Sequence, residues 1–217
     1  MLITKKPGRK YASALRAGQA DKTQAAILAA ADKLFRAQGW ASTSVAAIAR
    51  EAGISPETIY ATLKTKRAIM AAVVMQTVRG QSPDTPLMQQ AGPLAVLAEK
   101  SQATQIKLFA GDITGVLARI APLMSVLSTA AKTEPELNQL YQRFHEGRRK
   151  NLAVVAEAIM RQGSTRKSMD SAEATAVIWR LASPEMFTLM TEVEGISVAD
   201  FETWLASSLR RLLLAAD

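Results

Sequence analysis

Residues 45–63 read VAAIAREAGISPETIYATL, and this run decides the fold. Val45, Ile48, Ala49 and Ala52 recur at i, i+3, i+4 and i+7, on one side of a short helix. Gly53 follows at once, and a chain that turns this sharply needs a positive φ, which glycine reaches without a Cβ clash. Ser55, Pro56 and Glu57 then open a second helix: a hydroxyl cap, a proline at the first helical position and an acid near the positive helix end. Ile59 and Leu63 form its inward side. The turn Gly53-Ile54-Ser55 has the length of a helix-turn-helix, whose second helix enters a DNA major groove. The outward side carries Pro56, Glu57, Tyr60, Ala61 and Lys64, with Thr58 and Thr62 at its edges. Small, hydroxyl and aromatic side chains of this kind suit close approach to base edges and phosphates.

The flanks complete a three-helix unit. Ile27, Ala30, Ala31, Leu34 and Phe35 give a stripe along a helix from Asp21 to Gln38, with Gly39 as its stop and Trp40 as a packing residue. Thr43 or Ser44 caps the next helix, where hydroxyl and backbone N–H groups can meet a phosphate. After the helix-turn-helix comes a helix over 66–79 with Ile69, Met70, Val73, Val74 and Val78 inward. Residues 80–93 read as loop, with a short helical turn near Leu87. From Leu94 onward the chain reads helical: a run to Phe109 stopped by Gly111, one over 113–120, one started by Pro122 to about Ala131, and the longest from Pro135 to Gln162. A helix opened by Asp170 or Ser171 should break at Ser183-Pro184-Glu185, and a last helix runs over 197–215. No strand pattern of any length occurs. The expected fold is all-α, with a basic flexible arm (1–20), a helix-turn-helix domain (21–66) and a larger helical body (67–217).

Charge follows this division. Of the 217 residues, 27 are Lys or Arg and 19 Asp or Glu, a net of +8. Residues 1–80 hold 13 basic and 4 acidic groups, whereas 81–217 hold 14 and 15. The positive field therefore sits with the helix-turn-helix, and basic groups there displace counterions from nucleic acid. Lys5, Lys6, Arg9 and Lys10 of the arm fit a minor groove equally as well as they fit a solubilising tail. The chain has no Cys and one His, which removes disulfides, thiolate metal sites and most His-based catalysis. No phosphate loop, GxGxxG or GxSxG is present. No metal, cofactor or enzymatic chemistry is expected. Without an apolar segment after Met1–Lys10 or an apolar run near ~18 residues, the expectation is a cytoplasmic protein outside the membrane.

The run from Ile27 to Lys66 resembles the DNA-binding domain of TetR-family bacterial regulators. The matching residues are Ile27, Ala30-Ala31, Leu34-Phe35, Gly39-Trp40, Thr43-Ser44-Val45, Ile48-Ala49, Ala52 to Ser55, Thr58-Ile59-Tyr60 and Lys66. Leu63 stands where the family usually has Phe, and Glu57 and Thr62 depart on the DNA side, which bears on the operator sequence. The resemblance implies a homodimer on a palindromic double-stranded DNA operator, mainly a repressor, released by a small apolar or amphipathic effector. It implies DNA contacts from Thr43, Ser44, Ser55, Pro56, Glu57, Thr58, Tyr60, Ala61, Thr62 and Lys66. The tail, from Trp179 to Glu185 and through Phe201, Trp204-Leu205, Leu209 and Leu212-Leu213, is similar to family C-termini that pair as a four-helix dimer interface. Ala172, Ala176, Phe201, Trp204, Leu205 and Leu209 are its candidates here.

Met70, Met75, Phe109, Met124, Tyr141, Phe144 and Trp179 are candidate pocket residues, since Met and aromatic side chains adapt to apolar ligands; each also reads as ordinary core. Two rival readings stand beside the effector-released repressor. One is a DNA-binding regulator whose body serves only dimerisation or a protein partner. The other is a helical carrier or enzyme with an incidental helix-turn-helix.

Overall fold

The computed structural model describes residues 9–166 and 169–215, with side chains described from residue 19 onward. The helices are α1 (Arg9–Ser42), α2 (Val45–Ala52), α3 (Pro56–Leu63), α4 (Lys66–Arg79), α5 (Ala91–Ala98), α6 (Gln102–Ala131), α7 (Pro135–Met160), α8 (Ser171–Leu181), α9 (Pro184–Thr188) and α10 (Val198–Leu213). A 3-10 turn lies at Leu87–Gln89 and a π turn at Leu189–Val193. Among the described residues extended pairing is confined to one isolated bridge, Thr165 to Leu214. The fold is all-α, as expected. The chain forms two compact units, Met1–Val73 and Val74–Asp217, and the division falls inside α4.

In the first unit α1 packs on α2, and α2 on α3. Ile27, Phe35, Ile48, Ile59, Ile69 and Met70 are fully buried there, and Phe35 stacks on Trp40 with ring centroids 5.7 Å apart. Burying each such side chain stabilises the fold by about 1.5–3 kcal/mol. Helix α1 starts at Arg9, so residues 9–20, read above as flexible arm, are helical. The reason is local: beyond Pro7-Gly8 the chain runs through Ala, Arg, Lys and Gln, all good helix formers. Lys5 and Lys6 lie outside the described residues. Gly39 interrupts α1 at φ 74° and ψ −178°, the stop expected of it.

The second unit is built around α6, which packs against α5, α7, α9 and α10. Two expected boundaries are corrected here. The run from Leu94 to Phe109 is broken: Ser101 accepts from the Thr104 N–H and Glu99 accepts from the Lys100 and Ser101 N–H groups, ending α5 and starting α6. Conversely α6 continues through Gly111 and Pro122, where stops or starts were expected. Its buried stripe from Gln105 to Ala130 holds it straight enough to tolerate the N–H that Pro122 lacks. Gly111 serves packing instead, because a Cβ there would lie 3.3 Å from Glu202 Oε1 of α10. At 30 residues α6 is also longer than α7, with 26. It is long and apolar enough, at a mean hydropathy of 1.5 over 18 residues, to match a membrane span by composition. More than half of that window is instead buried as core. Ser183 caps α9 after the break at Ala182, and Gly195 (φ 77°) precedes α10, as the sequence indicated.

Candidate functional site

The helix-turn-helix is built from local devices. The Ser44 hydroxyl accepts from the Ala47 N–H and starts α2. Gly53, at φ 67° and ψ 31°, donates back to the Ala49 and Arg50 carbonyls and closes it. The Ser55 hydroxyl accepts from the Thr58 N–H, with Pro56 in the first turn of α3. Ile59 anchors α3 inward while Ser55, Glu57, Ala61 and Thr62 are exposed and Tyr60 is 53% exposed. Pro56 and Thr58 are half-buried at the edges. Thr62 donates its hydroxyl to the Thr58 carbonyl. The Glu57 carboxyl is held below its ordinary range by its own backbone N–H and by the Ser55 hydroxyl, so it stabilises the start of α3. This side of α3 can offer hydroxyls, a phenol and a small surface to a groove.

Thr43 departs from the expected set. It is buried, its hydroxyl donates to the Gly39 carbonyl at 2.7 Å, and its N–H bonds the Trp40 carbonyl. Both groups are used inside the fold. Lys66 donates to the Trp40 carbonyl and sits 4.0 Å over the Trp40 ring. That contact fixes the ammonium at the start of α4. Sequence reading passed over Thr65, whose hydroxyl caps α4 by accepting from the Ala68 N–H. Lys64, just before it, is the one non-glycine residue with positive φ among those described (60°). The signal for Thr65 was present as a hydroxyl residue directly before a helix.

The second unit encloses a cavity of about 300 Å³. Met75 and Val78 of α4, Val96 of α5, Phe109, Ile113, Val116, Leu117 and Ile120 of α6, and Phe144, Leu152 and Val155 of α7 form its apolar wall. Asp112, Arg143, Arg148 and Lys150 are its ionisable lining residues. Burial pushes the Asp112 carboxyl up from its ordinary value, against the pull of Arg119.

Residues 27–73 match the profile of bacterial regulatory proteins of the tetR family. No curated protein matches the sequence. Solved structures share the fold over most of the chain. NalD of Pseudomonas aeruginosa, the secondary repressor of the MexAB-OprM multidrug efflux pump, is 18% identical, with 92% of this chain and 100% of that one covered and a TM-score of 0.69. A transcriptional regulator from Saccharomonospora viridis in complex with choline is 16% identical (90% and 100% covered, TM-score 0.69). FadR from Bacillus subtilis, in complex with stearoyl-CoA, is 16% identical (85% and 96% covered, TM-score 0.66). Residues 27–73 thus carry a DNA-binding domain of the tetR type, and the chain shares its fold with solved regulators.

The candidate pocket residues divide. Met75, Phe109 and Phe144 line the cavity. Met70 and Met124 are packed core residues, 0% and 2% exposed, and neither reaches it. Tyr141 and Trp179 line a separate, more open cleft with His145, Arg148, Arg149 and Glu185. There Tyr141 donates to Glu185 Oε1 at 2.7 Å, and His145 Nε2 lies 3.3 Å from the same oxygen. Arg148 donates to the Ala182 and Trp179 carbonyls. Burial pushes the Tyr141 phenol up to about 12, with the Glu185 hydrogen bond adding to the shift, and lowers Arg148 to about 10.

The dimer candidates divide as well. Phe201, Leu205 and Leu209 are 0% exposed within the single chain, so they are core of the unit and cannot face a second copy. Their i, i+4, i+8 spacing marked the buried side of α10, not the side left for a partner. Ala172 is exposed, and Ala176 and Trp204 are half-buried.

Proposed function

We propose that this regulator is a repressor that binds a palindromic operator as a cytoplasmic homodimer and leaves it when a small molecule fills the body cavity. The observation that carries the reading is the course of α4. It begins at Lys66, directly after the helix-turn-helix, and ends with Met75 and Val78 on the wall of the cavity. A ligand that favours one setting of that wall biases α4, and a dimer's affinity depends on where its two recognition helices stand. An apolar cavity with few polar groups is the form that small-molecule sites take. That relatives of this fold are complexed with choline and with stearoyl-CoA supports a ligand-holding body.

The DNA contacts would come from Ser44, Ser55, Pro56, Glu57, Thr58, Tyr60, Ala61, Thr62 and Lys66, with Arg9 and Lys10 adding backbone charge. Fluorescence anisotropy tests this with the duplex upstream of the protein's own gene, titrated with salt and with unrelated competitor DNA. The expected result is binding that survives competitor and falls steeply on a plot of log K against log[salt]. Absence of binding at low salt would overturn the reading. Tyr60→Ala should weaken binding by about tenfold, in line with loss of one good contact at ~1–3 kcal/mol.

A further inference from the structure

We propose that the body cavity takes an amphipathic cation, an apolar chain or ring system ending in an amine, and that Asp112 receives the amine. The inference rests on the reading of the cavity as an effector site. The fold does not fix the charge of such a ligand, so the lining must.

Asp112 lies on α6 in a wall that is otherwise apolar on its side of the cavity. Among the described residues no hydrogen bond reaches its carboxylate. Asp112 is half-buried, and a ligand ammonium would supply its carboxylate with a donor and a nearer opposite charge. Room for the carboxylate is built into α5: a Cβ at Gly92 would lie 1.9 Å from Asp112 Oδ1, so only glycine lets the acid sit where it does. Phe109 and Phe144 line the same cavity, and aromatic faces attract cations.

The competing charges are Arg119, Arg143, Lys150 and Arg148, and Arg119, the cation that acts on Asp112, is exposed. Arg143 and Lys150 are exposed, where water and salt screen them. Arg148 is the inner cation, but two of its guanidinium nitrogens are committed to the Ala182 and Trp179 carbonyls, and it faces Glu185. Its Nε–H is buried and has no hydrogen-bond partner. An anionic ligand would meet Asp112 and would have to compete for the guanidinium N–H groups that Arg148 does not spend on those carbonyls.

The test is calorimetric titration of the full chain with decylamine, decanol and decanoate, each below its aggregation concentration. Decylamine should bind tightest. Asp112→Asn should weaken decylamine by about tenfold or more, as loss of a charged hydrogen bond does, and leave decanol within about twofold. Asp112→Glu should recover part of the amine affinity. The Asn variant should melt at or above the wild-type temperature, because burial disfavours the charged carboxyl that it replaces. Decanoate binding as tightly as decylamine, or decylamine binding that Asp112→Asn leaves unchanged, would overturn the charge assignment while the effector reading stood. No binding by any of the three probes would overturn the effector reading and this inference together.

Discussion

Gly39 and Gly53 both have positive φ, yet they differ in ψ. At φ 74° and ψ −178°, Gly39 occupies a region open essentially to glycine alone. At φ 67° and ψ 31°, Gly53 is in the left-handed region that asparagine also visits. A Cβ at either would meet nothing within 4 Å, so the cost of a side chain is backbone strain and not a clash. We expect Gly39→Ala to lose up to ~3 kcal/mol and Gly53→Ala ~1–2 kcal/mol. Gly53→Asn should lose less than Gly53→Ala. Urea denaturation of the three variants checks the order. Glu185 sets a different test. Burial would raise its carboxyl, but His145, Tyr141 and its own backbone N–H outweigh that and hold it at about 2, against an ordinary 4.5. A depressed folded pKa means stability that is present above the unfolded value and lost as pH falls from 4.5 towards 2. With the side chain 48% exposed, solvent screening limits the contribution to about 1 kcal/mol. Denaturation midpoints at pH 7 and pH 3 should fall further apart in the wild type than in Glu185→Gln.

At the scale of elements, what was legible in the sequence is what local chemistry decides. Ser44, Ser55, Asp170 and Ser183 each cap a helix through the hydroxyl or carboxylate that marked them. The helix-turn-helix and the exposed side of α3 were readable for this reason. What failed depends on partners distant in sequence. Apolar spacing runs unbroken from Leu94 to Phe109, so it could not reveal the Glu99–Ser101 break, which two small capping networks impose. Gly111 and Pro122 look like helix ends until α6 is surrounded by α5, α7, α9 and α10, whose packing outweighs one missing N–H. Gln105 shows the same rule from the other side. It is a polar residue in an apolar stripe, 0% exposed, and it donates to the Val96 carbonyl at 2.9 Å, tying α6 to α5. Thr43 resisted reading because its hydroxyl finds the carbonyl freed at Gly39. The pocket was half legible: Met and aromatic type marks the inner side of a helix, but only packing separates a filled inner side (Met70, Met124) from one that borders a void (Met75, Phe109, Phe144).

At the scale of the whole molecule, the large apolar residues of α10 serve the protomer first. Phe201, Leu205 and Leu209 join the core that also holds Phe109, Leu117 and Ile178. An interface of the proposed homodimer on the last helices would then use their remaining surface, where Ala172 is exposed and Ala176 and Trp204 are half-buried. Small residues on one helix let a second approach closely, and a two-fold contact presents each of them twice. The two kinds of position predict opposite behaviour on adding a charge. Leu205→Arg places a guanidinium in a site with no exposure and should abolish cooperative unfolding, since an unpaired buried charge costs several kcal/mol. Ala172→Arg, on an exposed position, should keep the helical signal and the wild-type denaturation midpoint measured at low protein concentration. It should convert the proposed dimer to monomer in sedimentation velocity and, by uncoupling the two half-site contacts, weaken operator binding by far more than loss of one phosphate contact would. An Ala172→Arg protein that still sediments as a dimer would move the interface off α8.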